Sequence, residues 1–203
     1  MDARLAQMRD GVLQYQLSKY YAALYFVKGR GVAVDVGAHI GQWSRNMAKD
    51  FGTVFAFEPV PQYGECWRKN MEGIQNATLH PVALGDKAGI VSMRNGTPGS
   101  FGDTFVASKD EANAATDVQL RTLDSYNMSP IDFLKVDCEG FEKFVLIGGE
   151  HTIRRDRPTI IVEQKPGMAQ KYSLGETDAV TLLESWGAKV RTEMIGDFIL
   201  SWR

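Results

Sequence analysis

The sequence has little cysteine, no long hydrophobic run and almost no excess of either charge. Its two cysteines, Cys66 and Cys138, are too few for a disulfide framework, which favours a reducing, cytoplasmic setting. No apolar run approaches the ~18 residues that cross a bilayer, so we expect no membrane partner. Residues 1–11 lack the apolar core and small-residue cleavage site of a secretory signal. With 23 basic and 25 acidic residues, bulk electrostatic coating of nucleic acid is excluded, although a local basic patch is not.

The remaining composition is that of an ordinary globular chain. At 44% hydrophobic and 24% charged residues, it excludes disorder and fibrous repeats as descriptions of the whole protein. A length of 203 residues favours one generous domain. The 20 glycines are nearly one residue in ten, above the usual ~7%. Their positions therefore indicate where turns and close backbone approaches occur.

The first segment differs in pattern from the rest of the chain. Apolar residues at three- and four-residue spacing predict a helix over 2–28, which Gly29 and Gly31 end. We therefore expect a helical extension over 1–30 and a main domain over 31–203. Its aromatic residues are Tyr15, Tyr20, Tyr21, Tyr25 and Phe26. They either pack on the main domain or form a surface that faces a partner or a substrate, and the oligomeric state is left open.

From residue 32 onward, short apolar runs alternate with helical segments. The runs are 32–36, 53–57, 78–84, 117–123, 131–136, 158–162, 189–192 and 197–202. This alternation predicts an α/β fold with a mostly parallel sheet covered on both faces. The last two runs are too close for a crossover and should pair antiparallel. Residues 95–116 break the alternation and predict a long loop, functional or mobile, whose segment 100–105 is a candidate lid.

A glycine turn follows the first run. Asp35, Gly37 and Gly41 form the pattern D-x-G-x-x-x-G between a strand and a helix. Glycines there let the backbone approach a ligand, and the helix start offers free N–H groups. Glu58 ends the next strand, where a carboxylate accepts hydrogen bonds from a ribose diol. The other interpretation is a tight turn and a solvated carboxylate without a ligand.

An acidic segment follows the buried run 131–136. Asp137, Glu139 and Glu142 are delivered to the carboxyl edge of the sheet, where ligands bind in open α/β folds. Three close carboxylates repel one another unless a cation, an ammonium group or water shares the site. The segment is therefore a candidate site, with a solvated acidic turn as the simpler interpretation.

Taken together, these segments resemble the FkbM family of S-adenosylmethionine-dependent methyltransferases. The matching segments are VDVGAHIG (34–41), FAFEP (55–59), VALGD (82–86), RTLDSY (121–126), IDFLKVDCEGFEKFVLIGG (131–149) and RPTIIVEQ (157–164). The D-x-E-G-x-E pattern with its preceding strand is the most specific. The resemblance implies a Rossmann-like class I methyltransferase fold with a mostly parallel seven-stranded sheet closed by an antiparallel hairpin.

The resemblance also implies roles for individual residues. Gly37, Ala38 and Gly41 would hold the methionine end of S-adenosyl-L-methionine, and Asp35 would brace the turn or reach the ammonium. Glu58 would hold the ribose hydroxyls, and Asp137 would lie under the sulfonium. The other expected cofactor contacts are Pro59, Ala83, Leu84 and His39, where the family more often has Asn.

Catalysis leaves two possibilities open. Asp137, Glu163 and Gln164, at the ends of neighbouring strands, could hold a divalent cation such as Mg²⁺ that acidifies a bound hydroxyl. Otherwise the proton acceptor is Glu139, Lys135, Lys165 or His39.

The sequence says less about the methyl acceptor than about the cofactor site. The resemblance favours a hydroxyl on a small molecule or glycan, with Trp43 as a candidate pocket residue. A methyltransferase of RNA ribose or cap is the second hypothesis, since Arg154, Arg155, Arg157 and Lys165 form a candidate basic cluster. A cofactor-binding module without catalysis is the third.

Overall fold

The computed structural model describes residues 8–9, 12–13, 15–95, 104–107 and 116–202. The strands are β1 (Met8–Arg9), β2 (Val12–Leu13), β3 (Val32–Val36), β4 (Thr53–Phe57), β5 (Ala77–His80), β6 (Ala83–Leu84), β7 (Gly89–Asn95), β8 (Thr104–Val106), β9 (Thr116–Arg121), β10 (Phe133–Val136), β11 (Thr159–Glu163), β12 (Lys189–Met194) and β13 (Asp197–Ser201). The helices are α1 (Leu17–Leu24), α2 (Gln42–Asp50), α3 (Pro61–Asn70), α4 (Glu142–Ile147), α5 (Glu150–Asp156) and α6 (Asp178–Ser185).

A seven-stranded sheet forms the centre of the fold, in the order β12-β13-β11-β10-β3-β4-β5. The pairs among β11, β10, β3, β4 and β5 are parallel. Strand β13 runs antiparallel to both β11 and β12. This arrangement confirms the predicted mostly parallel sheet closed by an antiparallel hairpin.

The two faces of this sheet pack against different elements because strand residues alternate in direction. Val34, Leu134 and Val162 belong to a core shared with α4, α5 and α6. Their neighbours Ala33 and Phe133 lie on the opposite face, in a core shared with α1 and α2. Strands buried on both faces explain the near-continuous apolar runs of the sequence.

A second, four-stranded sheet in the order β6-β9-β7-β8 was not expected from the sequence. The single run predicted over 78–84 is divided between the sheets, since β5 pairs with β4 and β6 pairs with β9. The predicted loop over 95–116 starts in β7, contains β8 and ends in β9. Residues 96–103 and 108–115, which include most of the candidate lid, lie outside the described residues.

The N-terminal segment differs from its prediction. Helix α1 covers only Leu17–Leu24, and the preceding described residues pair as the short antiparallel strands β1 and β2. Gln16 has the left-handed φ of 50°, which ends helical geometry on the N-terminal side. Tyr20 and Ala23 are buried in the core beside α2, so α1 packs on the main domain. The division at residue 30 stays a prediction. Among the described residues no helix is long and apolar enough to cross a membrane.

Candidate active site

A cleft opens at the carboxyl ends of β3, β4 and β10, the edge at which α/β folds bind ligands. It holds about 990 Å³ of empty space, open solvent included. One side is lined by Ala83 and Leu84 of the second sheet, and another by Trp43 of α2. The cleft therefore crosses the edge of the main sheet and is bounded from both of its faces.

The glycine turn after β3 is required by close packing. Gly37 has a φ of 75°, and a Cβ there would overlap the carbonyl oxygen of Asp137. Gly41 has a φ of 88°, and a Cβ would lie 2.8 Å from Cδ1 of Trp67. The N–H groups of Gly37 and Ala38 both donate to Phe57 O at 3.0 Å. Gly37 and Ala38 line the cleft, whereas Gly41 contributes through packing.

Glu58 is held rigidly at the end of β4. Its Oε2 accepts from the His39 N–H at 2.8 Å, and its Oε1 accepts from the Val60 N–H at 2.9 Å. Burial raises the pKa of this carboxyl from its ordinary 4.5 to about 7, although the two backbone hydrogen bonds oppose that effect. Glu58 lines the cleft, so the unused lone pairs of its carboxylate are positioned for a ligand.

Asp35 lies beneath the turn rather than in the cleft. It is fully buried, accepts from Ser44 Oγ at 2.6 Å and lies 3.4 Å from Lys135 Nζ. Of the two roles expected for Asp35, these contacts correspond to bracing the turn. Lys135 also donates to Gly37 O at 3.2 Å and lies 3.4 Å from Asp137 Oδ2. A buried lysine thus ties the glycine turn to the acidic segment.

The acidic segment after β10 is organised around Glu142. Its Oε1 accepts from the N–H groups of Cys138 and Gly140, both at 2.9 Å. Glu139 and Gly140 have left-handed φ values of 54° and 100°. A Cβ at Gly140 would overlap Met168 O. Burial raises the pKa of Glu142 to about 7. Glu142 therefore shapes the turn, while Asp137 and Glu139 line the cleft.

Asp137, Glu139 and Glu163 form a carboxyl cluster whose nearest oxygens all lie within 4.8 Å of one another. Lys165 Nζ lies 2.7 Å from Glu163 Oε1 and 3.8 Å from Glu139 Oε1. Burial and the neighbouring Asp137 raise the pKa of Glu163 well above its ordinary value, although Lys165 opposes that effect. Burial opposes ionisation of Asp137, but Lys135 lowers its pKa below the ordinary value.

Gln164 lies apart from this cluster, which corrects its expected place as a cation ligand. Its Oε1 accepts from the Ala179 N–H at 3.1 Å, and its Nε2 donates to Glu142 Oε2 at 3.3 Å. Neighbouring residues of a strand face opposite sides, so Glu163 and Gln164 do not converge. Glu139 takes the third position instead.

The remaining expected cofactor residues line the cleft: His39, Pro59, Ala83 and Leu84. The His39 ring lies edge-on to Tyr63, with centroids 4.3 Å apart. The cleft is also lined by Tyr15 of the N-terminal aromatic set and by Thr104 of the candidate lid. Other lining residues were not singled out from sequence: Gln42, Tyr63, Val82 and Phe141. The sequence around these residues does not predict a ligand contact, because their position in the cleft depends on tertiary packing.

The expected basic cluster is not one patch. Arg154 pairs with Glu150 at 2.8 Å, and Arg155 pairs with Asp156 at 2.5 Å. Both arginines border a separate, open hollow next to α5, whereas Lys165 lines the main cleft. Arg154 and Arg155 therefore do not add positive charge to the lining of the main cleft.

Comparison with known proteins agrees with this geometry. The strand order and the cleft define a class I methyltransferase fold, which confirms the predicted fold class. A profile of the methyltransferase FkbM domain matches residues 35–190. The chain belongs to the FkbM methyltransferase family, as its motifs predicted. No curated protein matches it.

Solved structures with the same fold are distant in sequence. A methyltransferase FkbM from Methylobacillus flagellatus KT shares 16% identity at a TM-score of 0.55, over 98% of this chain and 56% of that one. This chain thus spans little more than half of that protein. A putative methyltransferase from Streptococcus mutans, in complex with SAH, shares 12% identity at a TM-score of 0.53, over 92% and 95%. A SAM-dependent O-methyltransferase from Thermotoga maritima shares 11% identity at a TM-score of 0.55, over 98% of this chain and 69% of that one.

Proposed function

We propose that this protein is an S-adenosylmethionine-dependent O-methyltransferase that acts on a hydroxyl group of a small molecule or glycan. The observation that carries the proposal is the single cleft lined both by the buried carboxylate Glu58 and by the strand-end carboxylates Asp137 and Glu139. Family membership and the SAH complex of the Streptococcus mutans neighbour support the choice of cofactor.

The lining residues fit the chemical parts of this cofactor. Glu58 accepts from the ribose hydroxyls through lone pairs that its backbone contacts leave free. Ala83 and Leu84 offer apolar surface to the adenine. Gly37 and Ala38 border the methionine end, and Asp137 places negative charge near the sulfonium.

When bound, S-adenosylmethionine supplies an activated methyl group. The protein aligns the acceptor oxygen and removes its proton. We assign proton removal to Glu139, which lines the cleft beside the Lys165 ammonium. Lys135 and Lys165 are unsuited to accept a proton. Although burial lowers their pKa values, carboxylates nearby raise both above the ordinary value.

The proposal contains no divalent cation. Lys135 and Lys165 already contact the carboxyl groups that would bind one. The chain's own ammonium groups therefore offset much of the negative charge of this cluster. The two free cysteines of the sequence support a reducing, cytoplasmic setting.

Four measurements test this function. Calorimetry should detect SAH binding, and its absence would reject every methyltransferase hypothesis together. A labelled-methyl screen should then find transfer to glycosides or small alcohols rather than RNA. Glu139→Gln should lower kcat about 100-fold with SAH affinity unchanged, whereas excess EDTA should leave kcat unchanged. Loss of activity with EDTA, restored by Mg²⁺, would reinstate the cation.

A further inference from the structure

Two aromatic side chains on the cleft wall are joined by one glutamine. Trp43 Nε1 donates to Gln16 Oε1 at 2.7 Å, and Gln16 Nε2 donates to Tyr15 OH at 3.3 Å. Both Tyr15 and Trp43 line the cleft. Gln16 itself has a left-handed φ of 50° at the start of α1. We call Tyr15, Gln16 and Trp43 the aromatic wall.

The aromatic wall lies on the opposite face of the main sheet from the expected adenine contacts. Trp43 belongs to the core shared with α1, in which Tyr15 is also packed. Ala83 and Leu84 belong to the core on the other face. Lys135 Nζ lies 5.9 Å from the Trp43 ring centroid and 3.4 Å from Asp137. Through Lys135, the wall is therefore close to the carboxyl cluster.

The charges beside the wall disfavour an anionic acceptor. Lys135 and Lys165 are both engaged by carboxyl groups, which are Asp35, Asp137, Glu139 and Glu163. No excess positive charge is left among these residues to attract a phosphate. Aromatic side chains pack on apolar surfaces, and the carboxylates beside them accept hydrogen bonds from hydroxyl groups. The combination suits an uncharged ligand ring that has one apolar face and several hydroxyl groups.

We propose that the aromatic wall is the acceptor subsite and that it takes an uncharged sugar ring. The apolar face of the sugar packs on Tyr15, which Gln16 ties to the buried Trp43, and its reacting hydroxyl faces Glu139. Gln16 is a positioning residue, because it holds both aromatic rings by hydrogen bonds without reaching the reacting atoms. This inference rests on the proposed methyltransferase function and adds the acceptor class and the residues that select it.

The test uses the full chain saturated with SAH. Saturation-transfer NMR measures binding of methyl β-D-glucopyranoside and methyl β-D-galactopyranoside, with glucose phosphate as the anionic comparison. At least one methyl glycoside should bind the wild type more tightly than glucose phosphate. Tyr15→Ala should weaken that binding about tenfold and leave the SAH Kd within about twofold. The matched control is Tyr25→Ala, on the same segment but 82% exposed, which should change neither.

Gln16 is tested by a pair of variants. Gln16→Met removes the acceptor of the Trp43 N–H and should weaken glycoside binding about as much as Tyr15→Ala. Gln16→Glu keeps a carboxylate oxygen for that N–H and should restore most of the binding. Thermal melts confirm that each variant is folded, and a structural role alone would not produce the rescue.

Three outcomes would overturn the inference. They are tighter binding of glucose phosphate, failure of both glycosides to bind the SAH-loaded wild type, and unchanged glycoside binding in Tyr15→Ala. Failure of SAH to bind the wild type is a different result, because it rejects the proposed function and the inference falls with it.

Discussion

The turn that follows β3 and the turn that follows β10 are built on the same plan and used differently. Each depends on a buried glutamate that accepts two backbone N–H groups, Glu58 from His39 and Val60, and Glu142 from Cys138 and Gly140. Each also contains a glycine with a left-handed φ. Burial raises the pKa of both glutamates to about 7.

The two glutamates differ in what reaches their remaining lone pairs. Glu58 lines the cleft, whereas Oε2 of Glu142 accepts from Gln164 Nε2 at 3.3 Å in the interior. The same residue type, with similar burial and pKa, therefore borders the cleft in one turn, where we propose that it binds the ribose, and serves the fold in the other. What separates the roles is access, which only the tertiary structure determines.

The largest expected effect comes from removing the contact between the turns. Gly37→Ala should destabilise the protein by more than about 4 kcal/mol, because its Cβ would overlap the backbone oxygen of Asp137. Gly73→Ala is the matched control, with a φ of 81° and no atom within 4 Å of the added Cβ. It should cost only about 1 kcal/mol. Urea denaturation measures both. Equal losses would show that backbone conformation, rather than close packing, dictates glycine at position 37.

A crossed pair of alanine variants separates the two glutamates. Glu142→Ala should lower the free energy of unfolding by about 3 kcal/mol, since it leaves two buried N–H groups without an acceptor. Glu58→Ala should cost about 1 kcal/mol, because solvent in the cleft replaces part of its contacts. Glu58→Ala should instead weaken SAH binding about 100-fold.

Denaturation and calorimetry of both variants at a temperature where each is folded complete this comparison. SAH affinity lost in Glu142→Ala but retained in Glu58→Ala would reverse the assignment of the two roles.

The smallest expected effect is a difference in pH dependence. A folded-state pKa of about 7, above the ordinary 4.5, makes each glutamate lower the apo protein's stability as pH rises from about 4.5 to 7. In the proposed function Glu58 accepts from both ribose hydroxyls, which favours its ionised form. SAH should therefore bind about tenfold more tightly at pH 8 than at pH 6. Glu142→Gln should keep this dependence, and Glu58→Gln should remove it. A pH-independent SAH affinity in the wild type would contradict the ligand role of Glu58.

Much of the fold was predictable because its signals are local. The apolar runs at 32–36, 53–57 and 131–136 predict buried parallel strands. The short connection between the last two runs predicts the final antiparallel hairpin. The second sheet was missed because its strands are short and one predicted run, 78–84, changes sheet within a few residues. The helix predicted over 2–28 is wrong for β1 and β2, where strand pairing overrides the apolar spacing.

The site was predictable at the level of turns and less so at the level of side chains. The pattern around Gly37 and Glu58 reflects backbone constraints that any sequence must obey. Gln164 was expected to bind a cation together with Glu163. That expectation is wrong, because neighbouring residues of an extended segment point to opposite sides and the two side chains diverge. Trp43 was expected as a pocket residue, but its link to Tyr15 through Gln16 carried no local signal, because these residues meet only through tertiary packing.

The cleft's position across the sheet edge has a consequence for redesign. Ala83 and Leu84, which are expected to contact the adenine, belong to the core on one face of the sheet, and the aromatic wall belongs to the core on the other face. Exchanging the segment around Tyr15 between relatives would then alter acceptor choice while the other half of the site is inherited unchanged. Under the proposed function, such a division separates the residues that select the acceptor from those that hold the methyl donor.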